Sequence, residues 1–435
     1  MRTTVPHVWP LVFLLILSAA CASSGETEGE NGGDDGADRT SVERGLNLAP
    51  QSDQIRTVQL YRGEDERNLP VTSLRPSESI TLEFDLMEEQ GRPLSVYFYH
   101  ADRSWRRDLS PSQFLESYQN DNLLDYTISQ GTAVPYVHYE YRFPNRDIRF
   151  RLSGNYIIRV TEKGRKDSVL FERPFFVTED AGSVQMGTKL VQVPGQFGGS
   201  VRPVTRFTPP EELTGDPFGY TTCFIRNGRI PDTRCEDRPL LARQPNLEFE
   251  LDRNLAFAPA TADYSVDLGN LRTGAGILRV DRTVSPFQVA LEPDYAQFSG
   301  RDLEADLKGQ IVIREAVSGR ANPEVTAEYV RTAFAFVPPK ERPLSERVVV
   351  AGSFSQMDPA QGMEMDWIPS RSQYEGEVLL KQGHYQYFYS SSDPVFEREI
   401  RQSQSRMQST FTTFVYYEDP STGTDRLLRV ASFRR

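Results

Sequence analysis

A chain of 435 residues with 61 acidic against 49 basic side chains has a formal charge of −12, which excludes the clustered basic surface that nucleic acid requires. Of the 49 basic residues 43 are Arg; an acidic, lysine-poor surface suits a salt-rich setting, although codon composition produces the same bias.

The first 20 residues carry Arg2, an apolar run from Leu11 to Leu17 and a small-residue end before Cys21. The run is about half the ~20 residues that a spanning helix needs, so it reads as an export signal over 1–20 rather than an anchor helix. The Ser-Ala-Ala-Cys end resembles a bacterial lipobox, which would acylate Cys21; Leu17 lies four places before the cysteine where the pattern puts it three before. Cleavage by the ordinary signal peptidase after Ala20 or Ala22 is the alternative. Several acyl chains on one cysteine hold a protein on a membrane where a single chain does so only marginally.

Residues 21–50 are rich in Gly, Ser and acid. Seven Asp/Glu face two Arg between Ala22 and Pro50, a net −5. Such a segment buries too little apolar surface to offset its ordering entropy and reads as a flexible tether; the alternative is a surface-export signal. Taking away the linker's −5 and the +1 of Arg2 leaves −8 on the folded part.

From there the pattern is strand after strand. IRTVQLY (55–61), SITLEFDL (79–86), LSVYFYH (94–100), YVHYEYRF (136–143), NYIIRV (155–160) and VLFERPFFV (169–177) alternate or run apolar between Gly, Pro, Asn and Asp, as strands do. This density over 51–180 predicts an immunoglobulin-like sandwich, with 109–130 as a helix or long loop. A second β domain is expected over 181–323, from LEFELD (247–252), ADYSVDL (262–268), GILRV (276–280), FQVALE (287–292) and GQIVIREA (309–316). Within it lies CFIRNGRIPDTRC. Cys223 and Cys235, with eleven residues between them, form a good disulfide pair in an exported chain, whereas zinc would need further ligands nearby. A third sandwich is expected over 324–435, from EYVRTAFAFVPP, RVVVAGSFS, YEGEVLLKQGHYQYFYS, STFTTFVYYED and DRLLRVASF. The fold class is thus all-β, in tandem sandwiches; no repeat period suggests a solenoid, and the strands lack the dyad pattern of an outer-membrane barrel.

Motifs for hydrolytic zinc, a serine nucleophile or a phosphate loop are absent. His100, His138 and His384 stand singly in strands; the first two would meet only if their strands were neighbours, a weak metal signal. Glu364 and Asp366 are a carboxylate pair of a kind common by chance. No cofactor, no metal and no small-molecule ligand is expected.

Two resemblances follow from these residues. VVVAGSFSQM with YEGEVLLKQGHYQYFY resembles the early-set, glycogen-binding immunoglobulin-like modules, in which exposed tryptophans stack on sugar. Here SQMDPAQ follows Phe354, so the expected tryptophan is missing and Trp367 is the nearest. Tyr385, Tyr387 and Tyr389 share one strand face, which reads as sandwich core with hydroxyls at its rim, or else as a sugar shelf. IRTVQLYRGEDERNLPVTSL, SITLEFDL, VYFYHADRSW, DYTISQGTAVPYVHYEYRFPN and RLSGNYIIRVTE, with YFYSSS, VYYED and TDRLLRV at the end, resemble the type IX secretion system plug proteins. The resemblance implies a non-enzymatic subunit that seals the periplasmic mouth of the outer-membrane translocon barrel, its partner. The lipid anchor would place it on the outer membrane facing the periplasm, with the cell surface as the alternative location. A carbohydrate-binding lipoprotein is the competing reading, and an unrecognised hydrolase a third.

Overall fold

A computed structural model describes residues 45–194, 199–214, 216–240, 246–258, 263–296, 307–316, 322–393, 396 and 409–435. The signal segment, Cys21 and most of the linker lie outside the described residues. As the alternation requires, the described chain is all-β; no helix among the described residues is long and apolar enough to cross a membrane.

The first sandwich pairs a four-stranded sheet with a five-stranded one. The four-stranded sheet runs Ile55–Arg62, Ile80–Leu86, Val137–Phe143, Tyr126–Ile128; the other runs Val71–Ser73, Val169–Thr178, Gly154–Glu162, Leu94–Ala101, Asn120–Leu123. Alternation sends Ile80, Leu82, Phe84 and Leu86 inward to meet Val96, Phe98, Phe171 and Phe175. Phe98 sits edge-on to Phe143 at 5.0 Å, the arrangement that the ring quadrupole favours. The segment expected to be helix or loop supplies one helical turn, Pro111–Phe114, and then an edge strand to each sheet, Asn120–Leu123 and Tyr126–Ile128.

The second sandwich stacks Ser183–Val191, Ser200–Thr208 and Leu247–Glu250 against Arg234–Glu236, Tyr220–Arg226, Thr410–Asp419 and Thr424–Arg434. Phe207, Tyr220, Phe249, Val415 and Leu428 fill it. Cys223 and Cys235 are directly opposed across a hairpin and are disulfide-bonded.

The third unit is a ten-stranded sheet. Its path runs Tyr264–Asp267, Gly383–Ser390, Val348–Gly352, Met363–Ile368, Gln373–Lys381, Tyr329–Val337, Phe287–Leu291, Ile277–Asp281, with Asp294–Tyr295 and Val312–Ile313 as short additions. The sheet folds over on itself, because Tyr387 and Tyr389 meet Phe334 and Phe336 of Tyr329–Val337, a strand theirs does not pair with, at 4.9 and 4.3 Å.

This pairing corrects the linear division at 323/324. Thr410–Asp419 pairs with Tyr220–Arg226, so the last 27 described residues, 409–435, complete the second sandwich. Tyr264–Asp267 pairs with Gly383–Ser390 and Phe287–Leu291 runs parallel to Tyr329–Val337, so strands placed in the middle domain build the third. The physical reason is that a two-residue period reports a strand and its buried face but not its partner.

Candidate functional site: an acidic seam between the first and third sandwiches

Alternation in Ile80–Leu86 that sends the apolar side chains inward must send Thr81, Glu83 and Asp85 outward. On an exposed sheet they would meet water; here the third unit covers them, and all three are buried. Register places His138 opposite Asp85, and its Nδ1 lies 2.9 Å from Asp85 Oδ1. Lys381, at the end of Gln373–Lys381, is fully buried and crosses the seam: its Nζ donates to Asp85 Oδ2 and to the Glu324 carbonyl, each at 2.6 Å. The same ammonium lies 4.4 Å from the centre of the Tyr136 ring, a cation–π contact. Tyr329 donates to Asp85 Oδ2 at 2.7 Å. Burial would raise the Asp85 carboxyl, but the Lys381 charge and the His138 hydrogen bond outweigh it and hold the group below the usual range. For His138, burial works downward, and the bond to Asp85 with its charge brings the imidazole above its ordinary value.

Beside this paired centre lie three more carboxylates. Glu83 accepts from Tyr61 at 3.0 Å. Glu66, in the turn after Ile55–Arg62, accepts from the Ile313 amide at 3.1 Å. Glu324 stands in the one-turn helix Pro323–Thr326 of the third unit. One oxygen from each lies within 4.8 Å of the others. Burial first, and then repulsion from Glu324, pushes Glu66 up to about 8 and Glu83 up to about 7; burial raises Glu324 as well. Glu328 closes the seam by accepting from the Ala133 and Val134 amides at 2.7 and 3.2 Å.

The other junctions are also polar. Arg426 holds Glu179 in two 2.7 Å bonds between second and first sandwiches, beside the Phe176–Phe414 ring contact at 4.4 Å. Asp263 binds Gln386 at 2.9 Å and Asn227 at 3.0 Å, and pairs with Arg229.

The residues singled out in sequence fall elsewhere. His100 and His138 are on opposite sheets, so they do not meet; His100 Nδ1 pairs with Asp108 at 2.7 Å. His384 is buried beside the seam's third-unit strands. Glu364 and Asp366 are exposed on one strand. Tyr385, Tyr387 and Tyr389 are all core: the Tyr385 hydroxyl donates to the Lys381 carbonyl at 2.7 Å, and those of Tyr387 and Tyr389 reach Asp294, each at 2.8 Å. Trp367 packs against Tyr374 at 5.1 Å. The sugar-shelf reading therefore loses its rings to the interior. The seam itself escaped the sequence reading, since Glu66, Glu83, Glu324 and Lys381 lie far apart in the chain and each is ordinary alone. One signal was present: Lys381 is one of the chain's few lysines and directly follows the apolar run Val378, Leu379 and Leu380.

Fold and seam together define a class: an all-β protein whose three sheet units are joined by buried ion pairs and hydrogen bonds. Residues 55–179, the span of the first sandwich, match the family described as type 9 secretion system plug protein 1st domain, so the first sandwich is a domain of that kind. No curated protein matches the chain. A crystal structure of a hypothetical protein from Parabacteroides merdae aligns with a TM-score of 0.77 at 23% identity, covering 90% of this chain and 100% of that one. The likeness shows that the whole arrangement is a shared fold. A serine-rich repeat adhesion glycoprotein from Streptococcus agalactiae aligns at TM-score 0.14 and 8% identity, covering 88% of this chain and 97% of that one, and carries no argument.

Proposed function

We propose that this protein is a non-enzymatic, plug-like component of type 9 secretion, seated at the periplasmic mouth of the outer-membrane translocon barrel and tethered to that membrane through lipid on Cys21. The first domain, residues 55–179, carries this reading. The architecture suits it: a cover for a wide pore must stay rigid, and sheets joined through buried ion pairs present a broad face at little ordering cost on binding. A tether raises the local concentration near the barrel and favours rebinding after release. The burial of Tyr385, Tyr387 and Tyr389 argues against the carbohydrate-binding alternative.

The test is affinity purification of the tagged protein from detergent-solubilised envelopes. A very large outer-membrane barrel protein should co-purify, and deletion of the gene should alter outer-membrane permeability or export of secreted cargo. Recovery of the protein alone, with permeability and export unchanged, would overturn the reading. Replacing Cys21→Ser should leave the protein in the soluble periplasmic fraction.

A further inference from the structure

We propose that Glu66, Glu83 and Glu324 bind one divalent, calcium-type cation, with the side-chain oxygen of Gln59 as a fourth ligand, so that an ion joins the first sandwich to the third unit. Four observations carry this. The three carboxylate oxygens lie within 4.8 Å of one another, which is the widest spacing of ligands on a sphere of about 2.4 Å radius, the calcium–oxygen distance. Gln59 is 2% exposed, and its Oε1 has no hydrogen-bond partner although Nε2 donates to the Ile311 carbonyl at 3.2 Å. The Gln59 amide N–H faces the Glu66 carboxylate, so the side chain that borders the cluster carries a buried, unpartnered acceptor. Glu324 Oε2 is likewise shielded from solvent and accepts no hydrogen bond.

The third observation is a charge imbalance. Lys381 and His138 are committed to Asp85. Their nearest approaches to the trio's carboxylate oxygens are 3.8 Å, Lys381 to Glu324 Oε2, and 4.0 Å, His138 to Glu83 Oε1. Among the described residues, the three buried or half-buried carboxylates then have no basic side chain at hydrogen-bond distance, a costly arrangement unless a counter-charge enters. The fourth is ligand chemistry. An all-oxygen set suits a hard cation and not zinc or copper. Magnesium keeps several waters and demands octahedral order, whereas calcium accepts irregular protein cages.

Because Gln59, Glu66 and Glu83 belong to one sheet and turn of the first sandwich and Glu324 to the third unit, the ion acts as a clamp, and it stands independently of the proposed partner. The purified full chain, stripped with chelator and desalted, is titrated with calcium chloride and separately with magnesium chloride. Bound metal is counted by elemental analysis and thermal unfolding is followed. One calcium per chain is expected, with a melting temperature that rises as calcium is added and a weaker response to magnesium. Glu66→Gln, a change in a turn, and Glu324→Gln should each weaken calcium binding at least about tenfold while circular dichroism stays that of a β fold. No bound calcium at millimolar concentration, or an unchanged stoichiometry and affinity in both variants, would overturn the proposal. So would Glu→Gln variants that melt higher than the parent irrespective of calcium, since protons alone would then relieve the crowding.

Discussion

Lys381 is a fully buried ammonium whose counter-charge, Asp85, belongs to another sandwich. A buried pair is weak evidence of net stability, because desolvation offsets the Coulombic gain, yet removing one partner strands the other. Lys381→Met should therefore destabilise the chain by about 3–5 kcal/mol, while Lys381→Met with Asp85→Asn should recover part of that loss; urea unfolding of both reads the difference. Asp108 offers a pH test. Burial raises its carboxyl, but the hydrogen bond and charge of His100 and the bond from Thr424 bring it below 3.8. Its folded value being depressed, Asp108 stabilises fully above the unfolded pKa, and the contribution fades as pH falls through the lower folded one. Asp108→Asn should thus cost stability at pH 7 and much less near pH 3, and parallel urea midpoints that keep the same gap at both would contradict the assignment. At this scale the sequence was partly legible. The disulfide could be read because both cysteines sit in one short hairpin; the seam could not, because no local pattern says that the polar face of ITLEFDL will be covered.

Among elements, the hairpin Tyr220–Glu236 bears two constraints. Its disulfide closes a loop of 12 residues' separation, worth roughly 3 kcal/mol in the chain-entropy account, so the thiol-reduced protein should unfold at a correspondingly lower urea concentration. At its turn, Gly228 has φ +71° and a Cβ there would lie 1.6 Å from the Lys308 carbonyl oxygen. Gly228→Ala must then displace backbone as well as adopt a left-handed conformation, and a sharp fall in folded yield and melting temperature is expected. Strand identity was the most legible level: 55–61, 94–100 and 155–160 each fall within an observed strand, and 79–86 overhangs Ile80–Leu86 by one residue. Strand partnership was the least legible, and the tyrosines of 385–389 show why. Their shared face is plain from the period, but whether that face met water, sugar or Phe334 and Phe336 depended on strands 50 residues away, as the Tyr389–Ala335 bond at a separation of 54 illustrates.

For the whole molecule, the interlocked sheets predict one cooperative unfolding transition rather than three. The junctions are buried and ionic, unlike the small polar contacts between independently moving domains. Calorimetry should show a single endotherm with matching calorimetric and van't Hoff enthalpies; three resolved transitions would mean that the seam contributes little. Residues 324–435, which the sequence read as a self-standing domain, should not fold when expressed alone, since Thr410–Asp419 would lack Tyr220–Arg226 and the third unit would lack Tyr264–Asp267. Absence of cooperative unfolding in that fragment, followed by near-ultraviolet circular dichroism, is the expected result.

The return of the C-terminal hairpin to the second sandwich also sets a timetable. Arg426 reaches Glu179 across 247 residues of sequence, and the strand that carries Cys223 waits for Phe414. A chain made from its N-terminus therefore cannot finish its middle third until these last strands arrive. Contacts of such span are slow to form because loop closure must precede them. The half-emerged protein stays open in the middle, with Phe207, Tyr220 and Phe249 awaiting their partners, and it stays a client for chaperones until the last strand is delivered.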